Sequence, residues 1–197
     1  MSLVEEFFQA VDREWPSDAS PRVRLSVIGS GALMLQVSYE RGTKDSDVLE
    51  TTDLSSETKA RLVSIAGPGT LLHQQWKRYL DVVGNGIPFL PSGARWHPVS
   101  ALNPKLSNLE LHALDVVDVA VSKLKRFNAN DQTDIDAMIQ RGLVSHDELI
   151  ARFRSAVDVF SYDARAEDLP KYVEHLHRVE RDMLDVDETE IELPSWV

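Results

Sequence analysis

The 197-residue sequence contains no cysteine, which excludes disulfide scaffolds, thiolate zinc sites and cysteine nucleophiles. Bases are in deficit: 21 Lys and Arg against 32 Asp and Glu give a formal net charge of −11. Such acidity argues against a general nucleic-acid coat protein, because that binding runs on phosphate neutralisation. No apolar run approaches the roughly 20 residues needed to span a bilayer. The opening MSLVEEFF is acidic where an export signal would be basic. His-Glu-x-x-His and Gly-x-Ser-x-Gly are both absent, so neither a zinc-hydrolase helix nor a nucleophile elbow is supported. What is present, at 43% hydrophobic, suffices for a real core. The expectation is a cytoplasmic, globular protein without membrane association, either one ordinary domain or a catalytic core with a helical extension.

The charge is unevenly spread. Residues 158–197 hold 12 acids against 4 bases, while residues 59–126 hold 9 bases against 4 acids. The acidic end reads either as a solvated helix face or as a segment that meets a basic partner or shields the protein's own basic surface. The basic middle leaves room for a local groove that takes RNA.

Apolar spacing predicts a helix over Leu3–Trp15, a turn-rich break at Pro16–Pro21, and a strand over Val23–Ile28. Gly29-Ser30-Gly31 follow, then a short helix over Ala32–Val37 and a strand over Ser46–Leu49. Ser55–Ala66 reads as a helix, Trp76–Val83 as a β-rich stretch, and Arg95–Val99 and Leu109–Leu114 as further strands. Beyond Asp115 only helices are expected: Asp115–Phe127, Asp131–Arg141, Ser145–Phe160 and Pro170–Val186. The pattern predicts an α/β (α+β) architecture, with a mixed core over residues 1–114 and a helical region over 115–197 that ends in the acidic tail. The aromatics Trp76, Tyr79, Phe89 and Trp96 read as core filling rather than base-stacking surfaces.

Chemistry concentrates in two nearby stretches, Val27-Ile28-Gly29-Ser30-Gly31 and Arg41-Gly42-Thr43-Lys44-Asp45-Ser46-Asp47. A strand running into glycines that open a helix leaves backbone N–H groups for a phosphate. Asp45 and Asp47, two apart on a strand, project to one side, and such a pair suits Mg²⁺ held jointly with substrate phosphates. Read alone, each half is a turn or a polar connection; in this order they are more specific.

Gly-Ser followed by Asp-x-Asp resembles the signature of the polymerase-β-like nucleotidyltransferases. The form Arg41-x-Thr43-x-Asp45-x-Asp47 is closest to the toxin-type (AbiEii-like) and minimal bacterial members. The resemblance spans roughly residues 23–141 and implies a mixed sheet flanked by helices. It also implies Mg²⁺ or Mn²⁺ as cofactor, phosphates cradled by Gly29 and Ser30, and nucleotide contacts from Arg41 and Thr43. Asp45 and Asp47 then hold metal. A third carboxylate is needed from a neighbouring strand, and Asp81, interrupting Tyr79-Leu80-Asp81-Val82-Val83, is the candidate beside its reading as a strand-end acid. Ser46 departs from the family, which usually carries an apolar residue there.

Downstream, Val116, Ala120, Leu124 and Phe127 form an apolar helical stripe that includes Lys123, while Lys125 falls on the opposite, solvated face. A lysine in such a stripe either snorkels outward or needs an anionic partner, and Asp131 is placed to supply one. Asp131 and Asp134 also suit a helix start, where acids favour the dipole. The toxin-type resemblance implies instead that Lys123 contacts nucleotide phosphates, with Asp131 and Asp134 in support. Together these features predict transfer of a nucleotidyl group from an NTP to a hydroxyl on RNA (including tRNA), on a protein or on a small molecule. A toxin–antitoxin or defence setting with a cognate partner is implied. The alternative is a degenerate fold of the same kind acting as a binding or antitoxin-like module.

Overall fold

A computed structural model describes residues 2–16, 21–162 and 164–196. Residues 17–20 of the expected break at Pro16–Pro21 lie outside the described residues. The chain divides into two compact units, Met1–Ile87 with Trp96–Leu114, and Pro88–Arg95 with Asp115–Val197. The architecture is α+β.

The first unit opens with α1 (Leu3–Glu14), started by a capping box in which Ser2 and Glu5 satisfy each other's backbone N–H groups. Its apolar face buries Val4, Phe7, Phe8 and Val11. There follow β1 (Val23–Val27), α2 (Gly29–Gln36), β2 (Asp45–Leu49), α3 (Ser56–Ala66), α4 (Leu71–Trp76), β3 (Tyr79–Val83), β4 (Trp96–Pro98) and β5 (Leu109–Leu114). The five strands form one mixed sheet in the order β3-β2-β1-β5-β4. β1 runs antiparallel to β2 and parallel to β5, β2 is parallel to β3, and β4 is antiparallel to β5.

Two local expectations are corrected. Leu71–Trp76 is helical, so the β-rich stretch begins only at Tyr79. The cause is a cap: Thr70 Oγ1 accepts from the His73 N–H and donates to the Gly67 carbonyl, nucleating a turn that the apolar pattern does not reveal. Likewise α2 starts at Gly29 rather than Ala32, so Gly-Ser-Gly is the first helical turn and not a separate loop.

The junction of α1 with the sheet rests on Asp12, which is buried. Its Oδ2 accepts from the Ser107 N–H at 2.9 Å, and its Oδ1 accepts from those of Asn108 and Leu109 at 2.8 Å each. These bonds hold the start of β5, and through it the parallel register with β1.

The second unit contains α5 (Val116–Lys123), α6 (Ala129–Gln140), α7 (His146–Phe160), a 3₁₀ turn (Ala164–Asp168) and α8 (Leu169–Val179). Phe89, fully buried, meets Phe153 and Phe160 edge-on and packs tilted against Tyr172, with ring centroids 5.0–5.3 Å apart. The expected last helix to Val186 ends earlier, in a π-helical turn over Glu180–Leu184 closed by Asp185 in the left-handed region at φ 54°.

Beyond that point the acidic segment is not helical. It is tied to buried Glu180, whose carboxylate accepts from the Thr189 N–H (3.1 and 3.2 Å) and lies 2.8 Å from His146 Nε2. Burial alone would raise the Glu180 pKa, but the bonds from Thr189 and His146 outweigh it and hold it below the ordinary value. Among the described residues no helix is long and apolar enough to cross a membrane.

Replacing Asp12 with Ala leaves three backbone donors without their acceptor. The expected cost is about 3 kcal/mol, read as a lower urea midpoint with an unchanged denaturant slope.

Candidate active site

β1 delivers the chain to Ile28, whose N–H donates to the Asp47 carbonyl at 2.9 Å and so pins the end of β1 beside the middle of β2. Gly29 then takes φ +63°, and a Cβ placed on it would come within 3.1 Å of Asp47 Oδ2. Only glycine satisfies both the left-handed backbone and this close approach. The turn therefore sits against the acid, as the Gly-Ser…Asp-x-Asp order implies. No side chain caps α2, leaving its first-turn amides to face an anion.

On β2, alternation puts Asp45 and Asp47 on one face and Ser46 on the other. The parallel register with β3 then aligns Asp45 with Tyr79 and Asp47 with Asp81. Paired residues of neighbouring strands share a face, so Asp45, Asp47, Asp81 and Tyr79 project together. The loop before β2 joins them: Thr43 Oγ1 donates to Asp45 Oδ1, and Arg41 Nη1 donates to Ser30 Oγ at 3.1 Å. Gly29, Ser30, Arg41, Thr43, Asp45, Asp47 and Asp81 are thus assembled at one place in the first unit.

Tyr79 senses the acids. Burial raises its pKa first, and the charges of Asp45, Asp81 and Asp47 raise it further. Its ring meets that of His73 edge-on at 5.1 Å between centroids, and His73 Nδ1 accepts from the Gly69 N–H. Neither residue was singled out by sequence as part of the site, and Tyr79 was read as core. The available signal was parity, since Tyr79 stands two residues before Asp81 on the same strand. Of the other aromatics, Phe89 is core as expected, whereas Trp76 and Trp96 are half-buried.

The departure at Ser46 has a physical reason. Ser46 is fully buried beneath the acids, and its hydroxyl accepts from Arg78 Nη1 at 3.3 Å. An apolar residue there would leave the buried guanidinium with one acceptor fewer.

Among the described residues no group of three acid or imidazole side chains is closed to the spacing of a formed metal cage. The donor set nonetheless suits a hard divalent ion, with three carboxylates on one face beside an uncapped helix start. Mg²⁺ in particular takes one or two carboxylates, fills its remaining positions with water and substrate phosphates, and needs no protein cage.

Lys123, Asp131 and Asp134 belong to the second unit and are brought together there. Lys123 Nζ lies 3.0 Å from Asp131 Oδ1 and 2.7 Å from Asp134 Oδ2, and all three side chains are buried. Asp131 also accepts from Arg126 Nε and Nη2 and completes a capping box with Asn128. Burial pushes the Asp131 pKa up, yet Arg126 and Lys123 overcome this and leave it below the ordinary value. The lysine thus pairs rather than snorkels. Lys125 is not a plainly solvated base: it lies over the Phe160 ring, and burial lowers its pKa.

A protein family described as nucleotidyltransferase of unknown function (DUF6036) matches residues 6–188. The chain belongs to this family. No curated protein and no solved structure matches the chain. The family match spans both units and supplies the reaction class in which a glycine-serine turn beside an acidic face is to be read, with a nucleotide as substrate.

Two outcomes follow from these geometries. Removing Lys123 (Lys123→Ala) takes the ammonium from two buried carboxylates, Asp131 and Asp134, and costs about 3–5 kcal/mol. In the wild type Asp131, with its folded pKa below the unfolded value of about 3.9, contributes stability that is present above that pH and lost as pH falls through the folded pKa. Denaturant midpoints measured across the acid range show both effects. Separately, Asp47→Asn lowers the pKa of Tyr79 part of the way toward the usual value of about 10, read as near-ultraviolet phenolate absorbance after subtracting a Tyr79→Phe titration.

Proposed function

We propose that the protein is a Mg²⁺-dependent enzyme, or one using Mn²⁺, that transfers a nucleotidyl group from an NTP to a hydroxyl. The observation that carries this reading is the register of β2 and β3, which sets Asp81 beside Asp47 on the face where the Gly29–Ser30 turn arrives. Asp45, Asp47 and Asp81 would hold the ion, which when bound supplies charge neutralisation at the phosphates. Gly29 and Ser30 cradle the triphosphate with first-turn amides of α2, and Arg41, already bonded to Ser30, orients it. Thr43 fixes the rotamer of Asp45.

In the reaction the acceptor oxygen bonds to the α-phosphorus, and the bond from that phosphorus to the bridging oxygen of the β-phosphate breaks. The hydroxyl proton passes to the Asp81 carboxylate and pyrophosphate leaves with the electron pair. This reading does not draw on Lys123, whose ammonium is held by Asp131 and Asp134. RNA, including tRNA, is the acceptor that the toxin-type motif favours. A cognate antitoxin and a defence role go with that reading.

Two features spoke for a degenerate binding module, the serine at position 46 and the lack of an assured third acid. Ser46 has a structural occupation under Arg78, and Asp81 registers with Asp47, so both favour the enzyme.

The test is a thermal-shift panel of the four NTPs with and without Mg²⁺, followed by transfer of labelled nucleotide to total RNA. At about 100 times its dissociation constant a nucleotide stabilises the fold by roughly 2.7 kcal/mol. The expected result is a Mg²⁺-dependent shift and labelled product, both lost in Asp47→Ala. Absence of any shift, or label transfer retained in that variant, overturns the proposal.

A further inference from the structure

On the face of β2 opposite the acids lies a cation with too little to do. Arg78, 6% exposed, spends Nη1 on two long hydrogen bonds, 3.3 Å to Ser46 Oγ and 3.4 Å to the Asp45 carbonyl. Its Nε and Nη2 have no acceptor among the described residues, and no carboxylate lies at ion-pair distance. Neither nitrogen is sealed from solvent, so both stay open to a ligand. Desolvation pulls the Arg78 pKa down, and the attraction of Asp45 restores only part of it.

Arg78 forms part of the wall of a cleft of about 250 Å³. Leu3, Val4 and Met34 make its apolar side, and Leu3 and Val4 open α1, whose start is already capped by Ser2 and Glu5. Arg41 and Gly42 lie on the other side, with Glu40, an exposed and hence screened acid, at the rim. One largely desolvated guanidinium, that of Arg78, therefore lines the same small cavity as an apolar wall, with Arg41 also in its lining.

We propose that this cleft is a binding site for a small oxyanion, a carboxylate or phosphate group on a short apolar stem, gripped by the planar fork of Arg78. A guanidinium presents parallel donors that match either oxyanion bidentately. The volume lies just under the range of drug-sized pockets, which suits a fragment-sized ligand rather than a nucleotide. Ser46, to which Arg78 donates, faces away from the carboxylates, so the site is separate from the one assigned to the NTP. Arg41 touches both, as a lining residue here and as the donor to Ser30 there. An anion in the cleft thus competes for the residue that orients the triphosphate.

The test titrates the full-length protein with butyrate, acetate and inorganic phosphate, without Mg²⁺ or nucleotide, and reads thermal shift and calorimetry. Butyrate is expected to bind more tightly than acetate, because only butyrate reaches the apolar wall; phosphate binding more tightly than butyrate would assign the site to a phosphate group instead. Arg78→Lys keeps the charge but loses the fork, weakening binding by about tenfold, and Arg78→Met abolishes it. Without ligand, Arg78→Met melts at or above the wild-type temperature, because a largely desolvated charge held only by two long hydrogen bonds has gone. A purely structural arginine would give a lower melting temperature. Asp47→Ala keeps anion binding, which separates failure of this site from failure of the nucleotide reading. No binding by any of the three anions, or binding that survives Arg78→Met, overturns the proposal.

Discussion

The two-residue period of β2 governs the whole first unit. Because Asp45 and Asp47 point one way, Ser46 and Val48 must point the other, and every later assignment inherits that division. The acids, Tyr79 and the Gly29 turn occupy one side; Ser46, Arg78 and the anion cleft occupy the other. A slip of one residue in the pairing with β3 would exchange the two sets. It would place a guanidinium on the face that now carries the carboxylates. The Ile28 N–H bond to the Asp47 carbonyl, the Tyr79 N–H bond to the Lys44 carbonyl and the Glu50 N–H bond to the Val83 carbonyl hold both ends of this register.

Electrostatics on the two faces are opposite in sign and differ in how they are balanced. The acid face gathers negative charge, which together with burial makes Tyr79 hold its proton more tightly. The second unit pairs buried carboxylates with its own bases: Asp131 and Asp134 with Lys123 and Arg126, and fully buried Asp118 with Arg152. Arg78 follows neither pattern. Its charge is buried like that of Lys123 but lacks comparable partners, and this contrast within one chain marks it as unusual.

Legibility in the sequence followed the range of the interactions. Gly29, Ser30, Asp45 and Asp47 could be read because a strand-to-helix turn and an alternating pair are local patterns. Lys123 with Asp131 could be read from a helical wheel, since stripe membership demands a partner. Asp81 could be nominated but not aligned, because its place beside Asp47 depends on a parallel pairing over more than thirty residues. Tyr79 and Ser46 were misjudged for the same reason: until the strand's faces are known, a tyrosine looks like core and a buried serine looks like a defect. The helix at Leu71–Trp76 escaped notice because a side-chain cap at Thr70, not a hydrophobic period, starts it.

Glu180 grips the end of the chain twice. Its carbonyl accepts from the Val186 N–H and its carboxylate from the Thr189 N–H, so one residue measures off both six and nine positions of the segment that follows. Such a double hold works as a ruler. Substitutions between residues 181 and 188 leave the count intact, whereas a single insertion or deletion there moves one of the two amides out of reach and strands a buried charge. The fold therefore constrains the length of this stretch more tightly than its composition.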